Sequence, residues 1–334
     1  MVLVQNIISN PPNGASIMVT RTTWDAYNEE FRSRYRDVGK PDSVAIVAGM
    51  GRSGTTWVGD IINYDDTHRV MFEPFWANRV KEAEGFHTIH YLSPHRQNPL
   101  LADKALRILA GKVHHQWVDG MVQQLFYRRR VVKDIRCNLM LGWLAKIANH
   151  PPIVLVVRHP LQVAASWRKL RWTRGQLGID SVLSQETLLR DFPVIADVRG
   201  WINPQDLFED TVFLWCVVHL VPSLHLKKNE THVLFYENLL IEPAQEISSL
   251  FQYLNLPFSP DILPQILSRP SWTNWLRRDV KQDRPSLLNS WKDEFSARQQ
   301  RKAHAILAAF ALDPLYDKDG LPTGNPFFRE SAIL

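Results

Sequence analysis

The feature that most constrains the fold is residues 44–63, where an apolar run is followed by a glycine-rich turn and a helical pattern. The run VAIVA at 44–48 predicts a buried strand, and the loop at 48–54 leads into a helix that starts at Thr55. Backbone N–H groups point into such a turn, and the helix dipole adds partial positive charge. We therefore expect this turn to bind a phosphate-like group.

Short apolar runs bounded by turn or charged residues recur along the chain, as in a parallel sheet covered on both faces. Strands are predicted at 44–48, 70–72, 130–133, 153–157 and 233–235. Helices are predicted at 55–63, 101–127 with a break at Gly111, 139–148, 161–170, 206–220, 243–253 and 296–310. This alternation predicts an α/β fold, a doubly wound and mainly parallel sheet with helices on both faces. Ligands bind at the strand ends of such folds, and we expect the weakly patterned regions 76–100, 171–205 and 258–290 to lie there.

We expect one domain at 41–320, an N-terminal extension at 1–40 that wraps the surface, and a C-terminal tail at 321–334. A chain of 334 residues is long enough for one large α/β domain. Two cysteines in apolar surroundings cannot build a disulfide framework, and the first residues lack a secretory pattern. No segment approaches the roughly 18 uninterrupted apolar residues of a membrane span. We therefore expect a cytoplasmic protein.

The loop at 48–54 departs from the pattern that binds nucleoside triphosphates. Gly49 and Gly54 have the spacing of G-x-x-x-x-G-K-[ST], but Thr55 stands where the lysine that reaches the terminal phosphates belongs. Asp134 comes closest to a magnesium ligand at a strand end, but the adjacent Lys133 would repel a metal ion. These departures weaken the ATP interpretation, and a P-loop kinase or nucleoside triphosphatase that uses Mg-ATP stays open as the alternative.

The segment RSGTTW at 52–57, following an apolar strand, resembles the 5′-phosphosulfate loop of sulfotransferases. These enzymes use 3′-phosphoadenosine 5′-phosphosulfate (PAPS) and have a P-loop-like α/β fold. Cytosolic members carry lysine before SGTTW, whereas carbohydrate and tyrosylprotein members carry arginine, as here. The resemblance implies that the 5′-phosphate and the sulfuryl bridge are bound by this segment, Arg52, Ser53, Gly54, Thr55, Thr56 and Trp57.

A second anion-binding pattern lies about a hundred residues further on. In IVLVVRHPLQVAASW at 153–167, Arg158 ends an apolar strand and Ser166 lies two turns into the next helix. An arginine offers a planar fork suited to phosphate oxygens, and a serine adds a hydroxyl donor. The spacing also resembles the family's 3′-phosphate motif, an arginine followed eight residues later by a serine. A site for both a 5′- and a 3′-phosphate distinguishes PAPS from ATP.

Sulfuryl transfer to a hydroxyl needs a base for the acceptor proton and positive charge on the leaving oxygen. Cytosolic sulfotransferases supply the base as a histidine in a K-x-H pattern; here Lys133 matches the lysine, but Ile135 occupies the histidine position. The segment FEPFW at 72–76 resembles a region in which other sulfotransferases carry a glutamate base. Glu73 is therefore the candidate base, and we expect burial near cations to let it act at neutral pH. Lys133 and Arg52 are expected to stabilise the leaving oxygen.

Other residues complete the sequence-based hypothesis. His95 and His159 are the next candidates for the base, and the histidine-rich loop at 87–95 lacks the carboxylate or cysteine that would suggest a metal site, so we expect none. The family's further 3′-phosphate element is not matched, and Arg277, Arg278 and Lys281, in the basic stretch at 277–284, are possible substitutes.

The sequence thus predicts a PAPS-dependent sulfotransferase that acts on an acceptor hydroxyl. The FEPFW and RSGTTW segments favour a sugar or glycoconjugate, followed by a lipid or a small alcohol or phenol. The net charge of +5 also suits nucleic acid, but no RNA-binding aromatic motif is present, so we expect no nucleic-acid partner. The pattern does not indicate an oligomeric state.

Overall fold

The centre of the protein is a five-stranded sheet in which every strand runs parallel to its neighbours. The computed structural model describes residues 35–40, 43–173, 175, 178–268, 288, 291–324 and 327–328. Its strands are β1 (Arg36–Asp37), β2 (Val44–Gly49), β3 (His68–Phe72), β4 (Phe126–Tyr127), β5 (Arg129–Asp134), β6 (Ile153–Val157) and β7 (Thr231–Phe235). The main sheet has the order β3-β5-β2-β6-β7, and β1 pairs separately with β4.

Helices connect these strands and cover both faces of the sheet. They are α1 (Thr55–Ile62), α2 (Pro99–Leu109), α3 (Leu141–Ile147), α4 (Pro160–Lys169), α5 (Ile179–Leu183), α6 (Glu186–Asp191), α7 (Pro193–Arg199), α8 (Leu207–His225), α9 (Tyr236–Ile241), α10 (Pro243–Tyr253), α11 (Leu263–Ser268) and α12 (Ala297–Ala309). Short 3-10 turns lie at Lys81–Ala83, Asn138–Met140, Pro260–Ile262 and Asp313–Leu315.

The alternation of side chains along the strands divides the core into two layers. Ile46 and Ala48 of β2 belong to one apolar cluster, together with α3, α4 and α8. Val47, between them, faces the other cluster, which includes α1 and α10. Because successive residues of a strand point to opposite faces, strands apolar at every position are buried on both sides. This arrangement confirms the α/β class with a parallel sheet and helices around it.

Helix α8 is a core helix of this arrangement. It is long and apolar enough to cross a membrane by length and composition alone, but 83% of its apolar window is buried inside the protein. Trp215 and Cys216, at its middle, are fully buried. At its start the Asp206 side chain accepts a hydrogen bond from the backbone N–H of Phe208, which caps the helix. The helix extends to His225, beyond the predicted end at 220.

All five predicted strands are present, and the predictions for α1, α3, α4, α10 and α12 are confirmed to within two residues at either end. The predicted helix at 101–127 is wrong beyond its first third. Helix α2 ends at Leu109, and Gly111 adopts a left-handed conformation with φ of 74°. Further along, the backbone N–H of His115 donates to the carboxylate of Asp119, which fixes a loop instead of a helix. Region 171–205, expected to be irregular, contains the short helices α5 to α7.

A buried ionic cluster fastens the amino-terminal edge of the sheet. Arg69 of β3 is fully buried and donates to Asp37 at 2.9 Å, to Asp119 at 2.9 Å and to the carbonyl groups of Gly111 and Val113. Arg130 of β5 also pairs with Asp37, at 2.7 Å. Residues 35–40 of the predicted N-terminal extension therefore contact the sheet directly, while residues 1–34 lie outside the described part of the chain.

Replacing Arg69 by Met should lower the free energy of unfolding by about 3–5 kcal/mol, because the Asp119 carboxylate stays buried without its cation. Urea unfolding followed by circular dichroism measures this loss. The matched control is Lys227→Met, which removes an exposed pair with Glu230 and should cost no more than about 1 kcal/mol. Equal losses in both variants would contradict a stabilising role for the cluster.

Candidate active site

Parallel pairing brings five strand ends, and the candidate residues that follow them, to one edge of the sheet. In sheet order, this carboxyl edge presents Glu73 after β3, Arg136 after β5, the loop at 50–54 after β2, Arg158 after β6 and Tyr236 after β7. Ligands of open α/β sheets bind at this edge. The two anion motifs, on β2 and β6, are direct neighbours in the sheet.

The backbone at the end of β2 and in the loop after it requires glycine at two positions. Gly54 has φ of 95°, and a Cβ atom there would lie 2.6 Å from the ring of Tyr236. At Gly49 a Cβ atom would lie 2.4 Å from the carbonyl oxygen of Val156 in β6. The indole N–H of Trp167 in α4 donates to the carbonyl of Gly51 at 2.8 Å and holds the middle of the loop. The loop is therefore fixed between β6, α4 and the start of α9.

The groups that the loop presents are suited to an anion. The Ser53 hydroxyl is buried and has no hydrogen-bond partner among the described residues. Helix α1 begins at Thr55 with no acidic residue in its first turn and no side-chain cap on its backbone N–H groups. Such unsatisfied N–H groups and the helix dipole favour negative charge. A phosphate oxygen at this turn would satisfy donors that the protein leaves open.

The two anion motifs contact each other directly. The Arg52 side chain donates from Nε to the Ser166 hydroxyl at 3.1 Å, and Arg158 donates from Nη1 to the carbonyl of Arg52 at 3.0 Å. Arg158 also donates from Nε to Gln162 at 3.0 Å, and its guanidinium lies 4.2 Å from the ring centre of Tyr236. The arginines of both motifs therefore lie side by side at the carboxyl edge, and Ser166 contacts the first of them.

His159, directly after Arg158, has a packing role. Its backbone N–H donates to the buried Glu237 carboxylate at 2.9 Å, and its ring stacks on Trp291 with centroids 4.5 Å apart. Burial, followed by the charge of Arg158, lowers the pKa of His159 to about 3. His95 is exposed and lies beside Lys146, with its Nδ1 3.3 Å from the ammonium. None of these contacts involves Glu73.

Glu73 lies in a buried charge cluster at the end of β3. One carboxylate oxygen accepts from Lys133 Nζ at 2.8 Å, and the other accepts from Arg136 Nη1 at 2.5 Å. Burial alone would raise the pKa of Glu73, but the charges and hydrogen bonds of Lys133 and Arg136 hold it below the ordinary value. The expectation that burial tunes this carboxyl towards neutrality is thus corrected: the group is ionised because two cations compensate its burial.

Both Glu73 and Arg52 have backbone conformations that are uncommon for residues with side chains. Their φ values are 47° and 74°, in the left-handed region. The backbone N–H of Glu73 donates to the carbonyl of Lys133 at 2.7 Å, which aims the Glu73 side chain back towards β5. Such conformations persist where the surrounding contacts hold them, and they are frequent at functional sites.

Asp134, the last residue of β5, lies next to the same cluster and binds two backbone N–H groups. Its carboxylate accepts the backbone N–H of Phe75 at 2.9 Å and that of Arg136 at 2.7 Å. Burial, with the neighbouring charge of Glu73, raises the pKa of Asp134 to about 6. Asp134 therefore connects the segment after β3 with the segment after β5. Its oxygens are occupied by backbone donors.

Two cavities lie near these elements. A narrow cleft of about 20 Å³ between the loop and α4 is lined mainly by apolar side chains, among them Ile135 and Trp172. This volume is roughly that of one water molecule, so the cleft as it stands is too small for a nucleotide. A cavity of about 620 Å³ lies between the loop at 85–98 and the residues 184–191 and includes His87, His90 and His95. Of the candidate residues it contains only the reserve base His95, and none of the two anion motifs or the Glu73 cluster.

The structure thus brings together the predicted residues in two adjoining groups. Arg158 and Ser166 adjoin the loop residues Arg52, Ser53, Gly54, Thr55, Thr56 and Trp57, while Glu73 and Lys133 form the ionic cluster. Arg277, Arg278 and Lys281 lie outside the described residues.

Sequence reasoning missed Arg136, the second partner of Glu73, and Gln162, which orients Arg158. Arg136 lies just past the end of a buried strand, which indicates a position at the carboxyl edge but not the contact with Glu73. Within the described ranges, no group of three His, Cys, Asp or Glu side chains is arranged to hold a metal ion.

The family model of the sulfotransferase domain matches residues 42–310. A comparison with curated protein sequences found no match. Among solved structures, the sulfotransferase domain from the curacin biosynthetic pathway is similar, with 18% identity, 83% of this chain and 99% of that chain covered, and a TM-score of 0.46. The sulfotransferase domain from the Synechococcus PCC 7002 olefin synthase has 14% identity, covers 86% and 98% of the two chains, and gives a TM-score of 0.46.

A third solved structure, mouse sulfotransferase SULT7A1 complexed with PAP, has 13% identity, covers 81% of this chain and 85% of that chain, and gives a TM-score of 0.41. The family assignment depends on the domain match, which spans most of the chain and includes both anion motifs and the Glu73 cluster. On that match, the chain belongs to the sulfotransferase family.

Proposed function

We propose that this sulfotransferase moves the sulfuryl group of PAPS to an acceptor hydroxyl and releases adenosine 3′,5′-bisphosphate (PAP). The observation that carries the proposal is the direct contact of the two anion motifs, Arg52 with Ser166 and Arg158 with the carbonyl of Arg52. Two anion-binding elements on neighbouring strand ends suit a nucleotide that carries phosphates at two positions of the ribose. ATP carries its phosphates at one position only.

The residues at these strand ends fit a nucleotide with phosphates at two positions of the ribose. The open hydroxyl of Ser53 and the uncapped start of α1 supply donors for the 5′-phosphate and the sulfuryl bridge. Arg158 and Ser166 are assigned to the 3′-phosphate, since a guanidinium donates two parallel hydrogen bonds to phosphate oxygens. Arg158 is already oriented by Gln162 and by the ring of Tyr236, which lowers the entropic cost of binding.

The transfer step uses the cluster at the end of β3. Glu73 accepts the proton of the acceptor hydroxyl as its oxygen attacks sulfur, and the bond from sulfur to the bridging phosphate oxygen breaks. Lys133 and Arg52 stabilise the negative charge on that leaving oxygen. Arg136 is a positioning residue, because it keeps one oxygen of Glu73 bound while Lys133 serves the leaving group. The proposal assigns no step to a metal ion.

We favour a sugar or glycoconjugate as the acceptor, followed by a lipid or a small alcohol or phenol. The FEPFW and RSGTTW segments support the first class. We also propose a single catalytic domain at 41–320, flanked by an extension at 1–40 and a tail at 321–334, and a cytoplasmic location. The two buried cysteines form no disulfide, which is compatible with that location.

Replacing Arg158 by Ala should weaken the binding of PAP about 10- to 100-fold, because a charge-assisted hydrogen bond to the 3′-phosphate is lost. AMP lacks that phosphate and should lose less than about threefold. Calorimetric titration of both nucleotides, with ATP as a third ligand, measures the difference. Arg168→Ala, at an exposed arginine on the helix that follows Arg158, is the control. If PAP and AMP lose affinity equally, Arg158 does not recognise the 3′-phosphate.

Replacing Glu73 by Gln should reduce kcat by about 10²–10⁴-fold, because the amide has the shape of the carboxylate but cannot take the acceptor proton. The affinity for PAP should stay within about threefold of that of the wild type. Transfer of labelled sulfur from PAPS measures the first quantity, and calorimetry measures the second. Glu84→Gln, at an exposed glutamate, should change neither. Full activity of Glu73→Gln would place the base elsewhere.

The pH dependence of kcat should show how the cations around Glu73 lower its pKa. Since the pKa of Glu73 lies below its ordinary value of 4.5, the base stays ionised as pH falls from 8 to 5, and kcat should not decline through loss of this carboxylate. In Arg136→Leu, burial is less well compensated, so the pKa of Glu73 should rise and the acid limb should enter this range. A pH profile of Arg136→Leu that matches that of Arg168→Leu would contradict the positioning role.

A further inference from the structure

We propose that the acceptor carries an anionic group, a carboxylate, sulfate or phosphate ester, in addition to its hydroxyl, and that this group binds Arg79 beside Glu73. This inference rests on the proposed function and adds the chemical class of the second substrate. The observation behind it is an exposed arginine, held by two indole rings next to the catalytic carboxylate.

Arg79 is placed by Trp76 and Trp117. Its guanidinium carbon lies 4.9 Å from the ring centre of Trp76 and 4.7 Å from that of Trp117, while the two rings lie 5.0 Å apart at 68°. The side chain is exposed, and among the described residues no carboxylate lies within ion-pair distance of it. A stacked guanidinium keeps its planar donors for a ligand and loses less freedom on binding than a mobile surface arginine does.

Among the described residues, the charged groups that face Arg79 include no carboxylate that is available to pair with it. Glu73 is taken by Lys133 and Arg136, and the guanidinium of Arg136 lies over the same Trp76 ring at 4.1 Å. His115, which also faces Arg79, is neutral at pH 7, since burial and then the charge of Arg79 lower its pKa to about 4. Positive charge is therefore in excess on this side of Glu73.

Hydrogen-bonding capacity shows the same excess of donors. Within the described part of the chain, Trp117 Nε1 and Arg136 Nε are buried without an acceptor. The other nearby carboxylate, Asp134, already accepts two backbone N–H groups. An acceptor anion would supply the lone pairs that this cluster lacks.

The position in the sheet assigns this anion to the acceptor instead of the nucleotide. Arg79 follows β3, at one end of the carboxyl edge, whereas the two phosphate motifs follow β2 and β6. Strand β5, with Lys133, lies between them. A ligand at Arg79 therefore approaches Glu73 from the side opposite to the phosphates, as the attacking hydroxyl of an in-line transfer must.

The test is a titration of the full chain saturated with PAP, which fills the nucleotide phosphate sites. The probes are D-glucuronate, D-glucose 6-sulfate and, as the neutral match, D-glucose; tryptophan fluorescence and calorimetry report binding. At least one anionic probe should bind about tenfold or more tightly than glucose. Arg79→Gln should abolish this preference, Arg79→Lys should retain part of it, and Arg107→Gln, at an exposed arginine on α2, should leave it unchanged.

The inference is overturned if neither anionic probe binds more tightly than glucose, or if the preference survives in Arg79→Gln. A preference for glucuronate over the sulfate ester, or the reverse, identifies which anion the acceptor carries. PAP binding is measured first in every variant. If the wild-type protein does not bind PAP, the proposed function is refuted. If the wild-type protein binds PAP but shows no anion preference, only the role of Arg79 is refuted.

Discussion

The parallel pairing of five strands is the constraint on which the site depends. Because β2, β3, β5, β6 and β7 all run in one direction, the residues that follow them meet at one edge although they are far apart in sequence. The sheet order then separates the proposed functions: the two anion motifs occupy the ends of β2 and β6, and the ionic cluster occupies the ends of β3 and β5. Lys133 lies between the two regions, in register with Val47 of β2 and Phe72 of β3.

The same edge concentrates unfavourable features that the rest of the fold must offset. Glu73 and Arg52 have left-handed backbone conformations, Glu73 is a buried ion, and the Ser53 hydroxyl lacks a partner in the described part of the chain. Each costs stability on the order of 1–3 kcal/mol. The apolar layers on both faces of the sheet supply the compensating free energy, so the strained groups keep their places before any ligand arrives.

Sequence reasoning predicted the sheet, and it located the two anion motifs at strand ends, because both are local patterns. A buried strand followed by a glycine-rich or arginine-containing turn is visible in consecutive residues, as at 44–57 and 153–166. The errors occurred where distant contacts decide the structure. The loop at 112–125 has helical periodicity, but Asp119 binds the backbone N–H of His115 and the guanidinium of Arg69 instead. The contact of Arg136 with Glu73 spans 63 positions and has no local sequence signature.

The cluster around Asp37 has a consequence for any attempt to shorten this protein. The family match begins at residue 42, so a truncation at that boundary would remove the carboxylate shared by Arg69 and Arg130. Two guanidiniums would then remain in the interior with Asp119 as the nearest anion. We therefore expect the shortest chain that folds to begin upstream of residue 42, where the family match starts. It should include Tyr35, whose ring also contacts the Arg69 guanidinium.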